Sequence, residues 1–250
     1  MIEVVFFLLI FLIGLMIGSF LNVCIYRIPR GDDIVFGRSR CRNCGKTLKW
    51  YELIPVLSFL CQRGKCRSCK EKISIQYPLV ELSNGFAYIW VVSVNGWTWE
   101  SLLLCICTSV LFVIGIIDER TYQIPRGCNL LIGFLGVLHL FLDASHWKDY
   151  VLGMCAVSGL FLIAYYLTKG KGIGGGDIKL MTAAGLLLGW QKILLSLFIG
   201  SVAGMIIHLM LMKLKGKDRV LAFGPYLAFG IFIAMLYGEK ILVWYLNVCI

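Results

Sequence analysis

VVFFLLIFLIGLMIGSFLNVC, residues 4–24, decides the class of this protein. The stretch carries no charge and has about the 20 residues needed to cross a bilayer. Its apolar residues are continuous rather than alternating. In hydrocarbon only helices and closed barrels satisfy their own backbone, so the run predicts a membrane helix. The only charge ahead of it is Glu3, so the basic n-region of a cleaved signal peptide is missing. The run is also too long for a signal h-region, and no A-x-A site follows it. It is expected to stay in the membrane.

Similar runs follow near residues 78–95, 99–117, 127–142, 150–168, 178–190, 193–212 and 221–238. They account for a composition of 59% hydrophobic and 15% charged residues; soluble domains carry roughly 45–50% and about 25%. The expected fold class is therefore an all-α polytopic membrane protein with about eight transmembrane helices and a small cytoplasmic segment inserted after the first. The chain divides into a first transmembrane helix (1–25), an aqueous segment (26–76) and a transmembrane domain (77–250). The run at 178–190 is short enough for a half-helix or a continuation of the loop before it. Residues 241–250 are apolar but too short to span, and Trp244 and Tyr245 suit an interfacial segment.

The formal net charge is +10, and half of the 24 Lys and Arg lie between Arg27 and Lys72. The positive-inside rule puts that segment in the cytoplasm and the N-terminus outside. Eight crossings then leave the basic loops 118–126, 168–179 and 213–219 inside, and 95–98, 143–149 and 189–192 outside. A nucleic-acid partner is not expected. Asp32, Asp33, Glu52 and Glu71 interrupt the basic segment, stacking aromatics are few, and contact with anionic headgroups of the lipid bilayer suits the charge better.

The aqueous segment is too short to rely on a hydrophobic core alone. It holds two C-x-x-C pairs, Cys41/Cys44 and Cys66/Cys69, with 21 residues between them. Two such knuckles can wrap one zinc ion with four thiolates, which leaves no open position and makes the site structural. In a reducing compartment this outweighs a disulfide; free thiols or a redox pair are the alternative. Cys61 reads as a buried or spare thiol. Cys105, Cys107, Cys128 and Cys155 lie in or beside apolar runs, where cysteine serves as a small hydrophobe.

Asp118 and Asp177 are placed unlike the other aspartates. Asp118 directly follows the apolar run 111–117, where a helix leaves the membrane on the inner side. There it opposes the helix dipole, near a depth at which ionisable groups are costly. Its bland reading is a carboxylate in headgroup water beside Glu119 and Arg120. Asp177 ends the run Gly174-Gly175-Gly176-Asp177; glycines let another chain approach closely, whereas an Asp there is also a common N-cap. Both residues fall on the same side at similar depth. Two carboxylates brought close cannot both ionise easily, which gives an acid beside a base. Such a pair can activate water and protonate a departing amine in amide hydrolysis. No H-E-x-x-H, G-x-S-x-G or P-loop is present, and His139, His146 and His208 are scattered. A transporter or channel is the competing class, with Asp118 and Asp177 binding a cation or proton and Glu81 and His208 as relay groups.

Several motifs, in order along nearly the whole chain, resemble those of the type IV prepilin peptidases, a bacterial branch of the G-x-G-D aspartic membrane peptidases. They are Gly18-Ser-Phe-Leu-Asn-Val-Cys-Ile-Tyr-Arg-Ile-Pro-Arg30; the cysteine segment with Trp50-Tyr51-Glu52-Leu53-Ile54-Pro55 and Tyr77-Pro78-Leu79-Val80-Glu81; Ile117-Asp118 with Ile124-Pro125; Gly174-Gly175-Gly176-Asp177 with Lys179-Leu180; and Phe223-Gly224-Pro225-Tyr226. The resemblance implies that Asp118 and Asp177 form the catalytic dyad of an enzyme in the bacterial cytoplasmic (inner) membrane. The implied substrates are prepilins or pseudopilins, cut after a Gly that ends a basic leader, at the cytoplasmic face. It further implies methylation of the new N-terminus with S-adenosylmethionine, for which the sequence offers no fingerprint. The sequence departs from the family at Glu119, where an apolar residue is usual and which is expected to face water, and at Gly175, where a bulkier residue is common.

Overall fold

A helix forms at each of the eight apolar runs. The computed structural model describes residues 2–170, 172–215 and 221–249. Among these, the regular structure is helical, apart from two isolated bridges in the cysteine segment. Helix α1 (Ile2–Arg27) has Glu3 in its first turn and Arg27 in its last, each at the end where its charge favours the helix dipole. A short helix, α2 (Leu57–Cys61), lies in the aqueous segment. Helix α3 (Gln76–Asn95) stops at Gly96, which takes φ 72°. Helix α4 (Trp99–Thr121) starts at Thr98, whose hydroxyl accepts the Ser101 N–H, and ends at Tyr122 in the left-handed region. There follow α5 (Arg126–Leu142), α6 (Trp147–Leu167), α7 (Gly175–Leu188), α8 (Trp190–Lys215) and α9 (Gly224–Cys249).

Among the described residues, five segments are long and apolar enough to cross a membrane: Glu3–Arg30, Trp99–Thr121, Ala144–Leu167, Trp190–Leu214 and Gly224–Val248. The expected eight is not reached, for identifiable reasons. Helix α3 has the length but interrupts its apolar residues with Glu81, Asn84 and Asn95. Helix α5 has only 17 residues. Helix α7 has 14, about 21 Å of helix against about 30 Å of hydrocarbon. The C-terminal residues are not a separate interfacial piece: they continue α9 without a break as far as Cys249. Part of the expected inner loop at 213–219, with Asp218, lies outside the described residues.

The chain forms two compact units, Met1–Trp97 and Thr98–Ile250. In the first, α1 packs on α3 through small residues. A Cβ on Gly14 would stand 2.7 Å from the Gly85 Cα, and one on Gly18 equally close to the Glu81 Cα. Such close approach is how helices associate where lipid removes the hydrophobic drive between them. The amide of Asn84, fully buried, donates to the Gly14 carbonyl at 2.8 Å. In the second unit α4 packs against α5 and α9, α7 against α5 and α6, and α8 against α9 and α6. Gly153 of α6 and Gly185 of α7 meet backbone to backbone, leaving no room for a side chain on either. The outward faces are apolar, with Leu8, Leu12 and Met16 of α1 and Phe198, Ile206 and Leu209 of α8 exposed. Exposed apolar faces of this length suit a lipid surround.

Candidate active site and metal centre

Both C-x-x-C pairs fold into the same knuckle. Residues flanking each pair meet in an isolated antiparallel bridge, Arg40 with Thr47 and Lys65 with Lys72. In the first knuckle the Cys41 N–H donates to the Lys46 carbonyl, and in the second the Cys66 N–H donates to that of Glu71. The residue after the second cysteine is left-handed in each, Gly45 at φ 70° and Lys70 at φ 61°. This turn brings the four sulfurs within 4.8 Å of one another. Cys41 Sγ and Cys69 Sγ are 3.8 Å apart, close to the ~3.8 Å edge of a tetrahedron whose metal–sulfur arms are 2.3 Å. The electrostatics of the cluster are uneven. Backbone N–H groups of Cys69 and Ser68 bring the Cys66 thiol down to about 6. The Lys46 backbone lowers the Cys44 thiol, but desolvation and the thiols of Cys41 and Cys69 outweigh it and push the group up to about 11. One thiolate forms readily and the next is resisted, a conflict that a bound dication removes. The cluster can therefore hold a metal ion. Cys61 is exposed and outside it, a spare thiol.

The two aspartates lie in the second unit, on opposite helix ends. Asp118 sits in the last turn of α4, only 5% exposed, so it is not a carboxylate in headgroup water. Its Oδ2 accepts the backbone N–H of Gly224 at 2.9 Å. Gly224 is the first residue of α9, where N–H groups have no partner inside the helix and the dipole is positive. Asp177 lies in the first turn of α7 but does not cap it; the N-cap is Gly174, and no side chain caps the helix. Burial, followed by the charge of Asp118, raises the Asp177 carboxyl to about 6, partly offset by the Gly174 backbone N–H.

The glycine run gives the close approach expected of it. A Cβ on Gly176 would lie 3.1 Å from the Cβ of Ile124, in the turn that follows α4. The Asn129 amide donates to the Gly176 carbonyl at 3.4 Å. The start of α7 is thus held against the connection between α4 and α5. Glu119 is exposed, as expected of a carboxylate facing water, and so is Gly175.

Two residues emerge only in three dimensions. Gly224 was visible as part of a motif, but its contact with Asp118 spans 106 residues and has no local signal. Glu81, in the sequence a relay group of the transporter alternative, is only 6% exposed, and its Oε2 accepts the Val56 N–H at 2.7 Å. His208, a candidate relay group, has its Nε2 buried without a hydrogen-bond partner.

Two family descriptions match the chain: the bacterial peptidase A24 N-terminal domain over residues 12–94 and the type IV leader peptidase family over residues 105–209. A prepilin leader peptidase/N-methyltransferase of Aeromonas hydrophila is 35% identical, covering 97% of this chain and 94% of its own. The protein of the same name from Pseudomonas aeruginosa is 31% identical over 94% and 92%. That of Neisseria gonorrhoeae is 35% identical over 85% and 84%. No solved structure matches the chain.

Proposed function

The chain belongs to the type IV leader peptidase family, and on that premise we propose that it is an aspartic endopeptidase of the bacterial inner membrane whose dyad is Asp118 and Asp177. It cuts the basic leader from type IV prepilins or pseudopilins after a Gly, at the cytoplasmic face, and then methylates the new N-terminus. The N-terminus lies outside, and the cysteine segment and both aspartates face the cytoplasm. The peptidase chemistry belongs to the second compact unit.

One observation carries this reading: a buried carboxylate at the end of α4, Asp118, and a half-buried one at the start of α7, Asp177, whose proton affinity is raised by the Asp118 charge. Asp118, with the Gly224 N–H on one oxygen, acts as base and draws a proton from a water. The water oxygen attacks the scissile carbonyl. Asp177, with its pKa near 6, gives a proton to the departing amine; acid and base work best when their pKa values lie near the working pH. Neither a metal nor a covalent intermediate is required. The four cysteines hold one zinc ion, which contributes folding free energy to residues 26–76 and takes no part in cleavage.

The test is cleavage of a model prepilin in membranes by wild type, Asp118→Asn and Asp177→Asn. Asn keeps the shape and loses the acid/base chemistry. Both variants should insert normally and lose at least about 100-fold in rate. A variant that cuts at the wild-type rate removes its aspartate from the mechanism.

A further inference from the structure

We propose that the cavity of the first unit is the methyl-transfer site. There Glu52 and Glu81 bind the cationic methyl donor, S-adenosylmethionine, and Glu81 receives the proton of the new N-terminal amine. The inference rests on the reading that this chain methylates the product it cuts, and it supplies residues for that second reaction.

The cavity measures about 720 Å³ and is lined by α1, α2, α3 and the cysteine segment, within the 300–1,000 Å³ range of cofactor pockets. Five carboxylates and five Lys or Arg line it, and of the carboxylates two are buried, Glu52 at 7% and Glu81 at 6% exposure. Each is fixed by a backbone N–H: Lys49 to Glu52 Oε2 at 2.9 Å, and Val56 to Glu81 Oε2 at 2.7 Å. Val56 holds φ 60°, a costly conformation for a β-branched residue, in presenting that N–H. The segment around the cavity is crowded with Lys and Arg. Yet among the described residues none of them lies within ion-pair distance of either carboxylate. A buried carboxylate without a cation is expensive, and two of them in one cavity define a receptor for a cation. The donor brings two, a sulfonium and an ammonium. Its carboxylate has a counterpart in Arg42, which lines the same cavity with its guanidinium held 3.8 Å from the Tyr26 ring centre.

The transfer balances. The ammonium of the new N-terminus loses a proton to Glu81. The freed lone pair on nitrogen forms the N–C bond to the methyl carbon as the C–S bond breaks. The bonding pair stays on sulfur, which becomes a neutral thioether, and the nitrogen becomes a secondary ammonium. The spent donor has lost its sulfonium charge, so the carboxylates hold it less well and it leaves.

The test uses full-length protein in nanodiscs, with equilibrium binding of S-adenosylmethionine and of S-adenosylhomocysteine, its neutral-sulfur product. Leader cleavage is followed on the same preparations. Wild type should favour the sulfonium by about ten-fold or more. Glu81→Gln, which keeps an acceptor for the Val56 N–H, should lose that preference and methyl transfer while still cutting the leader. Glu52→Gln should lose the preference as well, and it decides the matter if Glu81→Gln does not fold. Wild-type preference in either folded variant overturns the proposal. So does a wild type that cuts the leader but binds neither compound. Failure of wild type to cut counts against the peptidase reading, and the binding data still judge the cavity.

Discussion

The N–H of Gly224 and the Oδ2 of Asp118, 2.9 Å apart, join the first residue of α9 to the last turn of α4. The contact sets which oxygen of Asp118 stays an acceptor, and it leaves no space at Gly224 for a side chain: a Cβ there would stand 2.6 Å from Oδ2.

Gly224→Ala should therefore act on catalysis rather than on folding. Gly to Ala at an unstrained helix position usually stabilises, by roughly 0.4–1 kcal/mol. Here α9 is anchored by Leu227 and Ile231, both fully buried, so the Asp118 carboxyl is what moves. Leader-cleavage kinetics should show kcat/KM falling by about 100-fold, the scale of a misplaced reacting group, with the melting temperature unchanged or raised. A melting temperature that drops in step with activity would point to a general packing fault instead.

Stability should depend on pH through Asp177. Its carboxyl titrates near 6 in the folded protein and near 3.9 in an unfolded chain, so the folded state binds the proton more tightly. The stabilisation this gives is complete below about pH 4 and is lost as pH rises through about 6. Asp177→Asn is free of that loss. Thermal unfolding should show the variant more stable than wild type at pH 7.5, by about 2–4 °C, and equal to it at pH 4. A variant less stable than wild type at pH 7.5 would contradict the cost assigned to burial.

Metal removal should unfold the cysteine segment and spare the second unit. Metal analysis should find about one zinc per chain, and Cys44→Ser should lose it. Structural zinc contributes an apparent ~10–16 kcal/mol, far more than a segment of this size retains. Limited proteolysis should then cut between Arg38 and Lys72 after chelation and leave residues beyond Thr98 intact. A metal-free protein with the same proteolytic pattern would remove the metal from the account.

Membrane helices are written along the chain, because solvation by lipid selects each run by its own length and polarity. All eight runs were legible for that reason, as was the pairing of the C-x-x-C knuckles, whose turns are local. Reach across the bilayer was less so. Helix α7 is too short, α5 falls below the threshold, and α3 mixes Glu81 and Asn84 into its apolar residues. Asp118 and Asp177 stood out by position, but how far each is withdrawn from solvent was not visible. It depends on α9 returning beside α4, and on Gly176 pressing against Ile124. The burial of Glu81 was not visible either, because one carboxylate at the start of an apolar run looks the same whether it meets headgroups or lines a cavity.

The backbone-to-backbone meeting of Gly153 and Gly185 makes α7 a rod clamped at its far end. Asp177 rides near the opposite end, eight residues and so about 12 Å up the helix axis. A clamp without side chains has no rotamers to relax, so its play is small, and small play at the pivot keeps the tip within catalytic tolerance. The placement of Asp177 in the proposed dyad is thus fixed in part by a joint buried between two helices.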